Sequence, residues 1–170
     1  VGDSAGTASN YNNIGLVYML LHEFDKASNY YIKAVEIAET LGNIRQLALY
    51  YNNIGENYLN LKEYDLATDY FLKALEMCEE LCSMTIFSRL HIGLARVEFE
   101  KGLYKNALSY AEKAFQTALE IDHKELIKSA SEILAKIYAA TGNFRKAYQY
   151  FVEFKIQSDS LISQENIKTI

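Results

Sequence analysis

One short segment recurs four times along the chain at a spacing of 40 residues. Each copy consists of an aromatic residue, two further residues and an alanine, and a tyrosine follows each of these alanines by three positions. The longer segment Tyr-Asn-Asn-Ile-Gly at 11–15 returns unchanged at 51–55. Repetition in one register indicates a fold built from a single supersecondary unit stacked on copies of itself. The four short segments are residues 24–27, 64–67, 104–107 and 144–147.

Apolar residues within each repeat are spaced as they are on a helix. Phe24, Ala27, Tyr31 and Ala34 follow one another by three or four positions, which places them on one face of a helix. An equivalent stripe precedes them, and the polar pair at 22–23 separates the two. Each repeat is therefore predicted to be two antiparallel helices that bury their apolar faces against the next repeat. We expect an all-α fold of four such hairpins.

The repeat boundaries follow from the same register. We predict one domain over 1–170, in which Phe154 departs from the pattern, because alanine occupies its position in the first three repeats. A bulky residue there predicts that the stack ends or is finished by a single helix. The start of the chain, which is not Met, indicates a piece of a longer protein. The predicted hairpins are residues 4–43, 44–83, 84–122 and 123–158, followed by a capping or connecting helix over 159–170.

Composition excludes several classes of function. The net charge of −5 argues against nucleic acid, whose phosphates need a surplus of Lys and Arg. No apolar run is long enough to cross a membrane, and the few cysteines favour a cytoplasmic protein. Cys78 and Cys82 offer two metal ligands where a structural zinc site needs four, so we interpret them as buried small residues. The histidines lie in different repeats and no phosphate-binding glycine loop is present, so we expect no enzyme activity, metal or cofactor.

The pattern Ile-Gly-x-x-Tyr at 14–18, followed by alanine, an aromatic residue and a second alanine, resembles the tetratricopeptide repeat. The resemblance covers about residues 4–158. This repeat is 40 residues long and lacks proline, whereas the usual tetratricopeptide repeat is about 34 residues long. The longer form is similar to kinesin light chains, spindle-orientation adaptors and peptide-pheromone regulators of the Rap type. This resemblance implies a right-handed superhelical solenoid with a C-terminal extension helix, and a concave groove that binds a peptide or protein.

The resemblance also implies which residues face the groove, since the first helix of each hairpin lines it. The paired asparagines are the most specific signal, because an amide both donates and accepts and can therefore pair with a peptide backbone. The alternative is that these asparagines are solvated or bonded to a neighbouring helix. The candidate groove residues are Asn12, Asn13, Leu16, Asn52, Asn53, Glu56, Asn60, Arg89, Arg96, Phe99 and Lys136.

Three functions remain open from the sequence. The chain is first expected to be a scaffold that binds a protein or peptide in the groove. The segment 158–161 resembles the edge of bacterial sensor regions, which implies instead a regulatory module of a signalling protein with its output domain elsewhere. Self-association, with one chain filling the groove of another or hairpins stacking end to end, is the third.

Overall fold

The computed structural model describes residues 4–78 and 83–168, with side chains to residue 164. These residues form eight helices that pair into four hairpins, which confirms the predicted all-α helical-repeat fold. The helices are α1 (Ser4–Leu20), α2 (Phe24–Leu41), α3 (Ile44–Asn60), α4 (Tyr64–Met77), α5 (Met84–Glu100), α6 (Tyr104–Glu120), α7 (Lys124–Ala140) and α8 (Phe144–Lys168).

The turn inside each hairpin uses the same backbone conformation. His22 and Lys62 have φ of 59° and 63°, and the equivalent Gly102 and Gly142 have 75° and 78°. This left-handed conformation is readily adopted by glycine but is unfavourable for a residue with a Cβ atom. The first two hairpins therefore carry backbone strain that the third and fourth avoid.

The chain divides into two compact units, Val1–Ile86 and Phe87–Ile170. In the first unit α1 packs on α2, α2 on α3 and α3 on α4. Close packing within each hairpin depends on glycine: a Cβ atom added at Gly15 would lie 2.6 Å from Cε1 of Tyr31, and one at Gly55 would lie 2.7 Å from Cε1 of Phe71. The two glycines thus make room for the aromatic rings of the second helices.

In the second unit, α7 packs against α6. Ala107 and Ala111 of α6 pack in one cluster with Leu134 and Ile137 of α7, and all four are fully buried. The small side chains of α6 allow α7 to approach closely, as the repeat pattern predicts. On its other side, α7 packs against α8.

Stacked tyrosine rings join the two helices in three of the four hairpins. Their ring centroids are 5.3, 5.5 and 5.6 Å apart and their planes lie within 12° of parallel. The third hairpin has Glu98 where the others have the first tyrosine of the pair. The three pairs are Tyr18–Tyr30, Tyr58–Tyr70 and Tyr138–Tyr150.

α8 runs without a break from Phe144 to Lys168, so the described part of the 159–170 segment extends the second helix of the fourth hairpin. Cys78 is buried as predicted but is also disulfide-bonded, so interpreting it only as a buried small residue is wrong. α4 ends at Met77, and Cys78 is its C-cap. Cys82 lies outside the described residues.

Candidate functional site

Three of the predicted asparagines form one hydrogen-bonded group where α1 meets α3. Asn53 donates from Nδ2 to Oδ1 of Asn12 at 2.7 Å, and Asn52 donates from Nδ2 to Oδ1 of Asn53 at 3.4 Å. The three residues are only 5 to 9% exposed. This arrangement matches the alternative interpretation from the sequence, in which an asparagine bonds to a neighbouring helix. The pair Asn12–Asn53 therefore contributes to holding α3 on α1.

The same group ends in an acceptor that has no partner among the described residues. Oδ1 of Asn52 is buried without a hydrogen bond. Leaving a buried acceptor unpaired costs about 1–3 kcal/mol, and such groups are rare in folded proteins. The structure thus retains, on the predicted site, a polar atom that a donor would stabilise.

Other predicted residues surround this group on the same two helices. Asn13 and Asn60 are exposed, while Leu16 and Glu56 are partly exposed. Their spacing by three or four positions places each set on one side of its helix. Nδ2 of Asn60 donates to the backbone oxygen of Glu56 at 2.9 Å within α3. We call Asn13, Leu16, Glu56 and Asn60 the amide strip.

A buried tyrosine lies beneath this surface. Tyr31 is fully buried, and its hydroxyl donates to Sδ of Met19 at 3.8 Å. Burial, and secondarily the negative charge of Glu56, raises the pKa of Tyr31. The buried phenol is therefore harder to ionise than an exposed one, and Glu56 is the acidic residue of the amide strip.

The four remaining candidates lie on α5 and α7 in the second unit. Arg89 is exposed and Arg96 is partly buried. Lys136 donates from Nζ to Oε1 of Glu132 at 2.6 Å, so its charge is compensated within α7. Phe99 packs against the core of its hairpin, with its ring centroid 5.7 Å from that of Tyr104.

Sequence reasoning missed an apolar pocket between α7 and α8. It has a volume of about 490 Å³ and includes Ala139, Tyr148, Phe151 and Phe154 in its lining, next to the candidate Lys136. The sequence signal for this pocket is Phe154, which replaces the alanine of the first three repeats. Tyr148 and Phe151 are further aromatic residues on the same helix, and the three together could have indicated an apolar surface.

The described residues contain no group of three or more His, Cys, Asp or Glu side chains placed to hold a metal ion. Among the helices of the described chain, none combines the length and apolarity that a membrane span requires.

Residues 6–80 match the family model for the tetratricopeptide repeat. Among curated proteins, none matches the chain in sequence. The family match confirms the tetratricopeptide resemblance over residues 6–80, and the remaining hairpins share the same repeated geometry. Helical repeats of this kind form extended binding surfaces for other proteins.

Solved structures share the fold at low sequence identity. Aspartyl phosphate phosphatase F from Bacillus subtilis superposes with a TM-score of 0.85 at 20% identity, covering 95% of this chain and 42% of that one. A Rap protein complexed with competence and sporulation factor superposes with a TM-score of 0.86 at 19% identity, covering 94% of this chain and 44% of that one. BtubC from P. vanneervenii superposes with a TM-score of 0.79 at 19% identity, covering 95% of this chain and 66% of that one. The chain thus spans less than two thirds of each of these proteins, and the Rap-type similarity holds for the fold.

Proposed function

We propose that this chain, whose residues 6–80 are tetratricopeptide repeats, binds an extended peptide along the amide strip of α1 and α3. The observation that carries the proposal is the buried Oδ1 of Asn52, which has no donor among the described residues and lies beside the Asn12–Asn53 hydrogen bond. Rotation of the Asn52 amide toward the peptide would bring that acceptor to a peptide N–H, and would exchange the 3.4 Å hydrogen bond from Asn52 to Asn53 for one from Asn52 Nδ2 to a peptide carbonyl. The unpaired acceptor would then gain a hydrogen bond that it lacks in the free protein.

The exposed residues of the strip suit recognition of a peptide backbone. The Asn13 and Asn60 amides each carry a donor and an acceptor, so they can pair with the C=O and N–H of a residue of any type. Leu16 is partly exposed and Leu20 is 74% exposed on α1, which provides apolar contact for side chains of the ligand. Glu56 disfavours an acidic residue at the centre of the peptide.

A random-peptide display selection tests the proposal, with binding of the selected peptides measured by calorimetry. The informative variant is Asn13→Ala with Asn60→Ala, because both side chains are exposed and the Asn12–Asn53 bond stays intact. We expect the double variant to lose at least about tenfold in affinity, which corresponds to about 1.4 kcal/mol. Selection of no peptide, or equal binding by wild type and variant, would contradict the proposal.

Asn29→Ala provides the matched control. Asn29 is an exposed asparagine on α2, outside the strip, so its removal should leave peptide affinity unchanged. A loss in the control as large as in the double variant would indicate a general effect on the protein. Asn53→Ala is unsuitable for this test, since it removes a bond that holds α1 and α3 together.

A regulatory role is the second candidate, and the unbroken α8 favours it. A single helix from Phe144 to Lys168 can pass a movement at one end to the other without an intervening turn. Hydrogen exchange of α8 amides, measured with and without a selected peptide, separates the roles. A change in the protection of α8 amides on peptide binding supports a regulatory role. A change confined to α1 and α3 supports peptide binding without regulation through α8.

A further inference from the structure

The pocket between α7 and α8 is an apolar surface that no helix of the described chain covers. Tyr148 and Phe151 are 69% and 52% exposed, and both line it together with Ala139, Ala147 and Phe154. Neighbouring aromatic side chains with such large exposed fractions on a folded domain form an apolar patch, and such patches mark a surface for another protein.

The repeat register identifies what fits such a surface. Ala147 and Phe151 are equivalent, 40 residues on, to Ala107 and Ala111 of α6. Both alanines are fully buried against Leu134 and Ile137 of α7. The shape that fills this kind of groove is therefore the first helix of a hairpin, with branched aliphatic side chains at the positions of Leu134 and Ile137.

The chain carries a helix face of this description that is itself exposed. Ile14 and Val17 of α1 are equivalent to Leu134 and Ile137, and they are 38% and 55% exposed. Leu21, one turn further on, is 60% exposed. By contrast, Ile54, the equivalent of Ile14 in α3, is 2% exposed. The same face is thus buried in α3 and α7 and open in α1.

The side chains at one end of this contact are apolar on both open faces. In the first unit, Nδ2 of Asn57 donates to Oγ of Ser28 at 2.8 Å, which joins α3 to α2. The equivalent of Asn57 on the open face is Val17, and the equivalent of Ser28 beside the pocket is Tyr148. In the second unit the equivalent residues, Ile137 and Leu108, belong to one core cluster, so an apolar pair also fills this kind of groove. Each open face therefore has the chemistry that the other requires.

We propose that α1 of a second copy of this chain occupies the pocket between α7 and α8, with Ile14 and Val17 against Tyr148 and Phe151. The two surfaces of the contact differ, so the association is head-to-tail. Each added copy leaves one open α1 face and one open pocket, and the assembly grows beyond a dimer unless its geometry closes a ring.

Sedimentation of the 170-residue chain over a range of concentrations tests this proposal. The wild type is expected to increase in average mass with concentration and to pass the mass of a dimer. Val17→Asp places a charge on the exposed apolar face of α1, and Phe151→Asp places one in the pocket. Each variant alone should sediment as a monomer. Leu21→Asp and Tyr148→Asp are second variants at more exposed positions, should either of the first two fail to fold by circular dichroism.

Mixing the two variants separates a head-to-tail contact from other modes of association. The Val17→Asp chain retains an intact pocket and the Phe151→Asp chain retains an intact α1, so together they form one complete interface. An equimolar mixture is expected to reach the mass of a dimer and to stop there. A contact between two α8 helices would instead leave the Val17→Asp chain associating like the wild type, which overturns the proposal, as does a wild type that stays monomeric throughout.

Leu72→Asp is the control for introducing a charge at an exposed apolar residue. Leu72 of α4 is 42% exposed and belongs to neither surface, so this variant should associate as the wild type does. Loss of association in Leu72→Asp together with the other variants would overturn the assignment of the contact to α1 and the pocket.

Discussion

Asn53 donates a hydrogen bond of 2.7 Å from Nδ2 to Oδ1 of Asn12, and thereby joins α3 to α1 across 41 positions of sequence. Asn53→Ala removes this donor and leaves Oδ1 of Asn12 unpaired in a site where Asn12 is only 5% exposed. We expect the variant to lose about 1–3 kcal/mol of unfolding free energy, measured by urea denaturation.

Asn13→Ala is the control for this prediction, because Asn13 is exposed beside the pair. A surface substitution of this kind should change the unfolding free energy by no more than about 0.5 kcal/mol. If Asn53→Ala were as stable as Asn13→Ala, the Asn12–Asn53 bond would have no role in stability and the groove interpretation of Asn53 would gain support.

Gly55 contacts the ring of Phe71 so closely that even a methyl group has no room. A Cβ atom there would lie 2.7 Å from Cε1 and 2.8 Å from Cδ1 of Phe71, whose side chain is fully buried. Gly55→Ala should therefore destabilise the protein by about 1–3 kcal/mol through overpacking, as measured by chemical denaturation.

A double-mutant cycle identifies the cause of that loss. Adding Phe71→Leu removes the ring that the new methyl group would strike, so the two substitutions together should be less destabilising than the sum of their separate effects. Strict additivity would mean that the effect of Gly55→Ala arises elsewhere in α3.

His91 should make stability depend on pH. It is 2% exposed, and its Nδ1 lies 2.9 Å from the backbone oxygen of Phe87. Burial lowers the pKa of His91, the hydrogen bond to Phe87 opposes this, and the charge of Lys113 adds to the lowering. An unfolded histidine titrates near about pH 6.5, so the unfolded chain takes up the proton first as the pH falls. The free energy of unfolding should therefore decrease below about pH 6.5.

The measurement compares urea unfolding of wild type and His91→Gln at pH 7.5 and pH 5.5. Glutamine retains a donor but does not titrate in this range, so the wild type should lose more stability between the two pH values than the variant does. Equal losses would assign the pH dependence to the carboxylates and not to His91.

The hairpins could be predicted from the sequence because each is specified locally. The spacing of Phe24, Ala27 and Tyr31 defines a helix face without reference to the rest of the chain, and the polar pair at 22–23 marks the turn. The role of Asn53 could not be predicted in this way, since its partner Asn12 is brought near only when α3 packs beside α1. The helix past Ser158 could also be predicted locally, because no glycine or proline interrupts the segment.

The strained turn at Lys62 offers a route to a more stable protein. Lys62 has φ of 63°, and the equivalent residues of the third and fourth hairpins are Gly102 and Gly142. The left-handed conformation costs a residue with a Cβ atom about 1–2 kcal/mol, while glycine loses about 0.5–1 kcal/mol through the added freedom of the unfolded chain. Lys62→Gly should therefore raise the unfolding free energy by about 0.5 kcal/mol in thermal or urea unfolding. Lys62→Ala retains the Cβ atom and should bring no such gain; if it stabilises equally, the cause is removal of the lysine side chain and not relief of the backbone.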